Sequence, residues 1–86
     1  MLTSLNLEGN KLTQLPSSLF TLERLEELLV NSNLLTEIPK EICLLKKLKQ
    51  FAVAKNTEIN KFPEDFTTLE NLQILDCSST QIDNLP

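Results

Sequence analysis

The sequence predicts an α/β repeat solenoid, because one arrangement of apolar residues recurs along its 86 residues. The stretch "LTSLNLEGNKLTQLP", residues 2–16, places five leucines at steps that fit neither a helix face nor a plain strand alternation. Further copies begin at Leu25, Leu48 and Leu72, so the period is 23 residues twice and 24 once. Self-similarity at a fixed period is typical of proteins that stack one structural unit repeatedly.

Each copy contains a short predicted strand. Two residues that lie two positions apart on a strand point to the same face, so an apolar pair at that spacing points into the core. The residue between them then points outward, and parallel strands of successive copies stack about 4.7–4.9 Å apart. The inward pairs are Leu5 and Leu7, Leu28 and Val30, Phe51 and Val53, and Leu75 and Cys77.

An asparagine follows each of the first three strands, and its side chain can bond backbone groups of the turn there. The extra residue of the third copy falls within "VAKNTEI", residues 53–59. Either Asn56 holds the asparagine position and the insertion follows it, or Thr57 holds it, as Thr80 does in the fourth copy. A local bulge is expected in both cases, because one residue must be looped out.

The second half of each copy returns the chain to the next strand. It opens on a proline, which fixes φ and is tolerated at the first turn of a helix. Apolar residues three apart follow, which indicates a short helical or 3₁₀ segment. The prolines are Pro16, Pro39, Pro63 and Pro86, and the charged residues expected to face solvent are Lys40, Glu41, Glu64 and Asp65.

Composition excludes several function classes. Eight basic and 12 acidic residues give a net charge of −4, which disfavours nucleic-acid binding. No apolar run approaches the roughly 18 residues that a membrane span needs. The chain has no histidine and one glycine, which removes most triad, zinc and phosphate-loop chemistry. The sequence therefore predicts no enzyme activity, no cofactor and no metal site.

The two cysteines predict no disulfide. Cys77 occupies an inward position, where a free cysteine packs as a small apolar residue. Cys43 lies on the return half and is expected to be partly exposed, on the opposite side of the solenoid. Together with the absence of an Asn-x-Ser/Thr site, this favours a reducing, cytoplasmic setting.

The full chain resembles the leucine-rich repeat family. The family motif LxxLxLxxNxL is matched by "LTSLNLEGNKL", "LEELLVNSNLL", "LKQFAVAKNTEI" and "LQILDCSSTQI", and the variable halves look like the intracellular Ras-suppressor and Scribble type of about 23 residues. The resemblance implies a right-handed superhelix with a parallel sheet on the concave face and short helical or 3₁₀ segments on the convex face. It also implies a structural ladder of Asn10, Asn33 and Asn56, from which Thr80 departs.

The domain expectation is one leucine-rich repeat domain over residues 1–86. Its repeats cover about 2–24, 25–47 and 48–71, with a partial repeat at 72–86 and no clear capping repeats. Uncapped ends would leave bare strand edges, which can pair with a second copy of the chain. A homo-oligomer, or a fragment of a longer protein, is therefore expected as an alternative.

The resemblance implies a non-catalytic module that binds a protein or peptide on the concave face. Leu29, Ala52 and Ile74 would form an apolar centre with a charged rim, as in protein-binding patches. The alternative is a self-associating structural unit, or part of a larger scaffold, signalling protein, immune receptor or effector. The expected partner-binding residues form a first column (Ser4, Glu27, Gln50 and Ile74), a second column (Asn6, Leu29, Ala52 and Asp76) and a third column (Glu8, Asn31, Ala54 and Ser78).

Overall fold

Four short parallel strands form one sheet in the computed structural model, which describes residues 2–82. The strands are adjacent in chain order, β1-β2-β3-β4, as expected for stacked repeats. Their register pairs the inward residues of successive repeats, so that Leu5, Leu28, Phe51 and Leu75 lie in one row. This confirms the predicted α/β solenoid. The strands are β1 (Ser4–Asn6), β2 (Glu27–Leu29), β3 (Gln50–Ala52) and β4 (Ile74–Asp76).

Three 3₁₀ helices connect the strands, at Ser17–Thr21, Lys40–Leu44 and Phe66–Thr68. Each return half begins with the same bond, in which the amide three residues past the proline donates to the proline carbonyl at 3.1 Å. The fixed φ of proline favours this turn.

Leu85 and Pro86, the expected end of the fourth copy, lie outside the described residues. Lys40, Glu41, Glu64 and Asp65 are exposed.

The most deeply buried core residues lie in the second and third repeats. Leu28, Val30, Phe51 and Val53 are fully buried, because a described repeat packs on each side of them. The corresponding residues of β1 and β4 are only half-buried, since each of these strands has a described neighbour on one side. No helix among the described residues is long and apolar enough to cross a membrane.

Three phenylalanines pack together in the third repeat. The rings of Phe62 and Phe66 stack with centroids 4.5 Å apart, and Phe51 meets Phe66 at 6.1 Å. Stacked and tilted ring pairs at these distances add to the stabilisation from buried area. This cluster links the strand to the return half of the same repeat.

Two asparagine side chains connect adjacent repeats. Asn33 donates to the carbonyl oxygens of Leu7 and Val30, at 2.9 and 3.0 Å. Asn56 donates in the same way to Val30 and Val53, at 3.0 and 2.8 Å. Both side chains are buried, so each satisfies backbone carbonyls that water does not reach.

Asn10 is exposed, and its side chain donates within its own repeat, to the carbonyl oxygens of Leu7 and Glu8. Thr80 likewise bonds locally, through its hydroxyl to the carbonyl of Cys77 at 2.6 Å. Unlike Asn33 and Asn56, the Thr80 side chain therefore donates no hydrogen bond to a carbonyl of the repeat before it.

The structure resolves the two alternatives for the third repeat. Asn56 occupies the asparagine position, and the extra residue falls after it, in a turn over Thr57 and Glu58. The Ile59 amide closes this turn on the Asn56 carbonyl at 3.2 Å. The insertion is therefore absorbed in a turn beyond the strand, and the pairing of β3 with β4 is uninterrupted.

The prediction that Cys43 is partly exposed is wrong. The Cys43 side chain is buried, with 9% of its surface exposed, because the third repeat packs over this part of the second 3₁₀ helix. Burial disfavours the thiolate and raises the pKa of the Cys43 thiol. Cys77 is half-buried against the core, and both cysteines are free thiols.

Candidate protein-binding face

The three columns form a continuous surface on the outward side of the sheet, called the concave face below. Register places Ser4 beside Glu27 in the first column, and Leu29 beside Ala52 in the second. Backbone bonds continue past the strands, where the amides of Gly9, Ser32 and Lys55 donate to the third-column carbonyls of the next repeat. Backbone pairing between repeats therefore extends to the third column.

The carboxylates of the first and third columns are oriented by neutral donors. The Ser4 hydroxyl donates to Glu27 Oε1 at 2.7 Å, and the Asn31 amide donates to Glu8 Oε2 at 2.6 Å. The carboxamide of Asn31 also accepts the backbone N–H of Ala54 at 2.7 Å. Each of these bonds spans two repeats, so the side chains are positioned by the stacking itself.

Asp76 in the second column is held by Ser78. Its Oδ1 accepts the Ser78 backbone N–H at 3.1 Å and the Ser78 hydroxyl at 2.8 Å. These two donors favour the ionised form and hold the pKa of Asp76 below its ordinary value. Asp76 is exposed, and it therefore presents a fixed negative charge.

One ion pair lies at the edge of the face where the strands begin. Lys49 Nζ is 3.5 Å from Glu26 Oε1, and about half of each side chain is exposed. A pair this exposed contributes little stability, roughly 0–1 kcal/mol. Its consequence for the face is that the Lys49 charge is opposed by a neighbour in the preceding repeat.

The apolar residues of the face differ widely in exposure. Ile74 is 53% exposed and Leu29 is half-buried, whereas Ala52 and Ala54 are 4% and 5% exposed. Both alanines are on the outward side of the sheet, but their single methyl groups lie between longer side chains of the adjacent repeats. They form the floor of the face and leave little surface for direct contact.

Two open depressions lie on the concave face. One, of about 510 Å³, is at the end of the strands, and the other, of about 300 Å³, is at their start. No group of three or more acidic, cysteine or histidine side chains within residues 2–82 could hold a metal ion. The first depression is lined by Glu8, Asn31, Lys55, Asp76 and Ser78, and the second by Ser4, Glu26, Glu27, Lys49, Gln50 and Ile74, among others.

Sequence reasoning missed a third depression on the convex side. It has a volume of about 460 Å³, lies between the second and third 3₁₀ helices, and is lined in part by Cys43, Leu44 and Thr68. Leu44 is 60% exposed. The sequence did contain a signal for this exposed leucine. The position of Leu44 is occupied by a polar residue in the flanking repeats, Thr21 in the first and Thr68 in the third.

The parallel sheet, the 3₁₀ returns and the buried asparagines define a solenoid repeat protein. The family model described as leucine rich repeat matches residues 1–57. A solved structure of a leucine-rich repeat protein of Leptospira interrogans superposes with a TM-score of 0.91 and 39% sequence identity, over 99% of this chain and 21% of that one. The chain belongs to the leucine-rich repeat family.

This chain spans about a fifth of the length of the Leptospira protein. Among curated proteins, no match was found. The placement within the Ras-suppressor and Scribble type remains a prediction from the repeat length and the variable halves.

Proposed function

We propose that this chain is a non-catalytic protein-interaction module that binds a protein partner on its concave face. The observation that carries the proposal is a sheet face on which Leu29 and Ile74 lie among charged side chains. An apolar centre with a polar rim is the usual anatomy of a protein interface. Leucine-rich repeat domains are typically interaction modules without enzymatic activity, which supports the proposal.

Hydrogen bonds between side chains of the face also favour binding. Bonds from Ser4 to Glu27 and from Asn31 to Glu8 fix side chains before any partner arrives. A surface whose side chains are already ordered loses less conformational entropy on association. A preorganised face of this kind is suited to recognise one arrangement of partner groups.

The test is affinity capture from a cell lysate, with identification of captured proteins by mass spectrometry. The parent is compared with Leu29→Asp and Ile74→Asp, which place a charge in the apolar part of the face. Leu44→Asp is the matched control, since it makes the same change at an exposed leucine on the convex side. Circular dichroism checks that all four proteins are folded.

A partner that the parent and Leu44→Asp capture, but that both concave variants lose, supports the proposal. A partner retained by both concave variants overturns it. Capture of further copies of the chain alone would move the function to self-association.

A further inference from the structure

The charges on the concave face are unevenly distributed. Four carboxylates and two ammonium groups line its two depressions. Lys49 is opposed by Glu26, which leaves Glu27 at the start of the strands without a lysine or arginine partner within 4 Å in residues 2–82. At the other end, Lys55 shares its depression with both Glu8 and Asp76. The face is therefore net negative at both ends.

The remaining carboxylates are oriented without being neutralised. Glu8, Glu27 and Asp76 accept hydrogen bonds from Asn31, Ser4 and Ser78 respectively, and these donors carry no charge. A carboxylate has about four lone-pair sites, so one or two such bonds leave room for an incoming donor. The hydrogen bonds therefore orient the three carboxylates, and the four carboxylates and two ammonium groups of the depressions leave a net charge of −2 on the face.

The apolar residue Leu29 lies between these carboxylates. Leu29 is two residues from Glu27 along β2, about 7 Å at the rise of a strand. Asp76 lies two strands away in the same column, at roughly 10 Å. Lysine and arginine pack their aliphatic stems on apolar surface while the charged head reaches a polar partner. The distances from Leu29 to the carboxylates therefore suit the packing of lysine or arginine side chains.

We propose that the concave face docks a cationic segment of a partner protein, in which arginine or lysine residues flank an aliphatic residue. The aliphatic residue packs on the half-buried Leu29, and the cationic heads meet Glu8, Glu27 and Asp76. About five extended residues would cross the four strands, given a rise near 3.3 Å per residue. This inference rests on the proposed function and adds the chemistry of the partner.

Charge complementarity selects this occupant over an acidic one. An acidic segment would lie against three carboxylates, and like charges that face each other across an interface disfavour binding. The formal net charge of −4 adds a long-range attraction for cationic partners, which salt screens.

The test is selection of a random-peptide library displayed on phage against the immobilised parent chain. A synthetic peptide of the enriched sequence is then titrated by fluorescence anisotropy. The charge variant is Glu8→Gln, Glu27→Gln and Asp76→Asn together, since each replacement keeps the oxygen that accepts the neighbouring hydrogen bond. The matched control is Glu41→Gln, Glu58→Gln and Glu70→Gln, which removes three exposed charges elsewhere.

The expected result is enrichment of peptides with arginine or lysine beside leucine, isoleucine or valine. The charge variant should bind such a peptide about tenfold more weakly than the control, and affinity should fall between about 50 mM and about 500 mM salt. Enrichment of acidic or neutral peptides, no enrichment, or equal binding by the two triple variants would overturn the inference.

Leu29→Asp separates this inference from the proposed function. If it abolishes binding of a selected peptide while the charge variant binds normally, the concave face is the binding surface and the cationic occupant is wrong. If neither Leu29→Asp nor the charge variant changes binding, both proposals fail.

Discussion

The backbone amide of Ile59 donates to the carbonyl oxygen of Asn56, three residues earlier, at 3.2 Å. The equivalent amides of Leu12 and Leu35 donate instead to an asparagine side chain of the following repeat, Asn33 or Asn56, both at 3.1 Å. In the third repeat this amide therefore finds its acceptor within its own turn. In the first two repeats the acceptor is a side chain of the next repeat.

Two departures from the repeat pattern affect the hydrogen bonding of the Ile59 amide. The following repeat carries Thr80 in place of an asparagine, and its side chain bonds locally to Cys77. The extra residue after Asn56 forms the turn that gives the Ile59 amide its acceptor. The insertion therefore compensates for the missing asparagine, because a buried amide without an acceptor is costly.

Deleting Thr57 should destabilise the chain unless Thr80 is also changed. We expect the deletion alone to lower the free energy of unfolding by about 1–2 kcal/mol, since the Ile59 amide loses its acceptor. Thr80→Asn alone should be near neutral. Combined, the two changes should show a favourable coupling of about 1 kcal/mol in urea unfolding, and strictly additive effects would contradict the compensation.

Asn56 should contribute more to stability than Asn10. Asn56→Ala leaves the buried carbonyls of Val30 and Val53 and the Leu35 amide with fewer partners, so we expect a loss of about 3 kcal/mol. Asn10 is exposed and water can replace its bonds, so Asn10→Ala should cost about 0.5–1 kcal/mol. Equal shifts of the urea midpoint in the two variants would show that this difference in burial does not matter.

Ser78→Ala should raise the pKa of Asp76 towards its ordinary value. The backbone N–H of residue 78 remains as a donor, so the shift should shrink without disappearing. In the parent, the folded pKa lies below the unfolded value of about 3.9. The stabilising contribution is therefore present above about pH 4 and is lost as the pH falls through the folded pKa.

The check is an NMR titration of the Asp76 carboxyl in the parent and in Ser78→Ala. Ser17→Ala, on the first 3₁₀ helix, is the control and should leave the Asp76 titration unchanged. An Asp76 pKa that is the same in the parent and in Ser78→Ala would exclude the hydroxyl as a cause of the shift.

Cys43 should react more slowly than Cys77 with an aromatic disulfide reagent near pH 7. Cys43 is buried and its thiol pKa is raised, so both access and the thiolate fraction are low. We expect at least about a tenfold difference in rate between the single-cysteine variants Cys77→Ala and Cys43→Ala. The difference should vanish in denaturant, and a faster Cys43 in the folded protein would contradict the burial.

The repeat pattern alone was enough to predict the fold. Leu28 and Phe51 were expected to point inward from adjacent parallel strands, and they pair in register and are fully buried. The prolines marked where the 3₁₀ returns begin. These features were predictable because strand alternation and the backbone of proline act over a few residues of one repeat.

The surface of the candidate site was less predictable. The sequence indicated which residues point outward, but the low exposure of Ala52 and Ala54 depends on side chains of the adjacent strands, about 23 residues away in the chain. Cys43 is buried for the same kind of reason, because the next repeat packs against its helix.

The sequence by itself determined the repeat, the inward rows and the membership of the outward columns, because each follows from local spacing. Only the tertiary structure decided where the inserted residue goes, which asparagines are buried, and how the carboxylates of the concave face are held. Those outcomes depend on hydrogen bonds between repeats, such as Asn31 to Glu8, whose geometry exists only after the repeats have stacked.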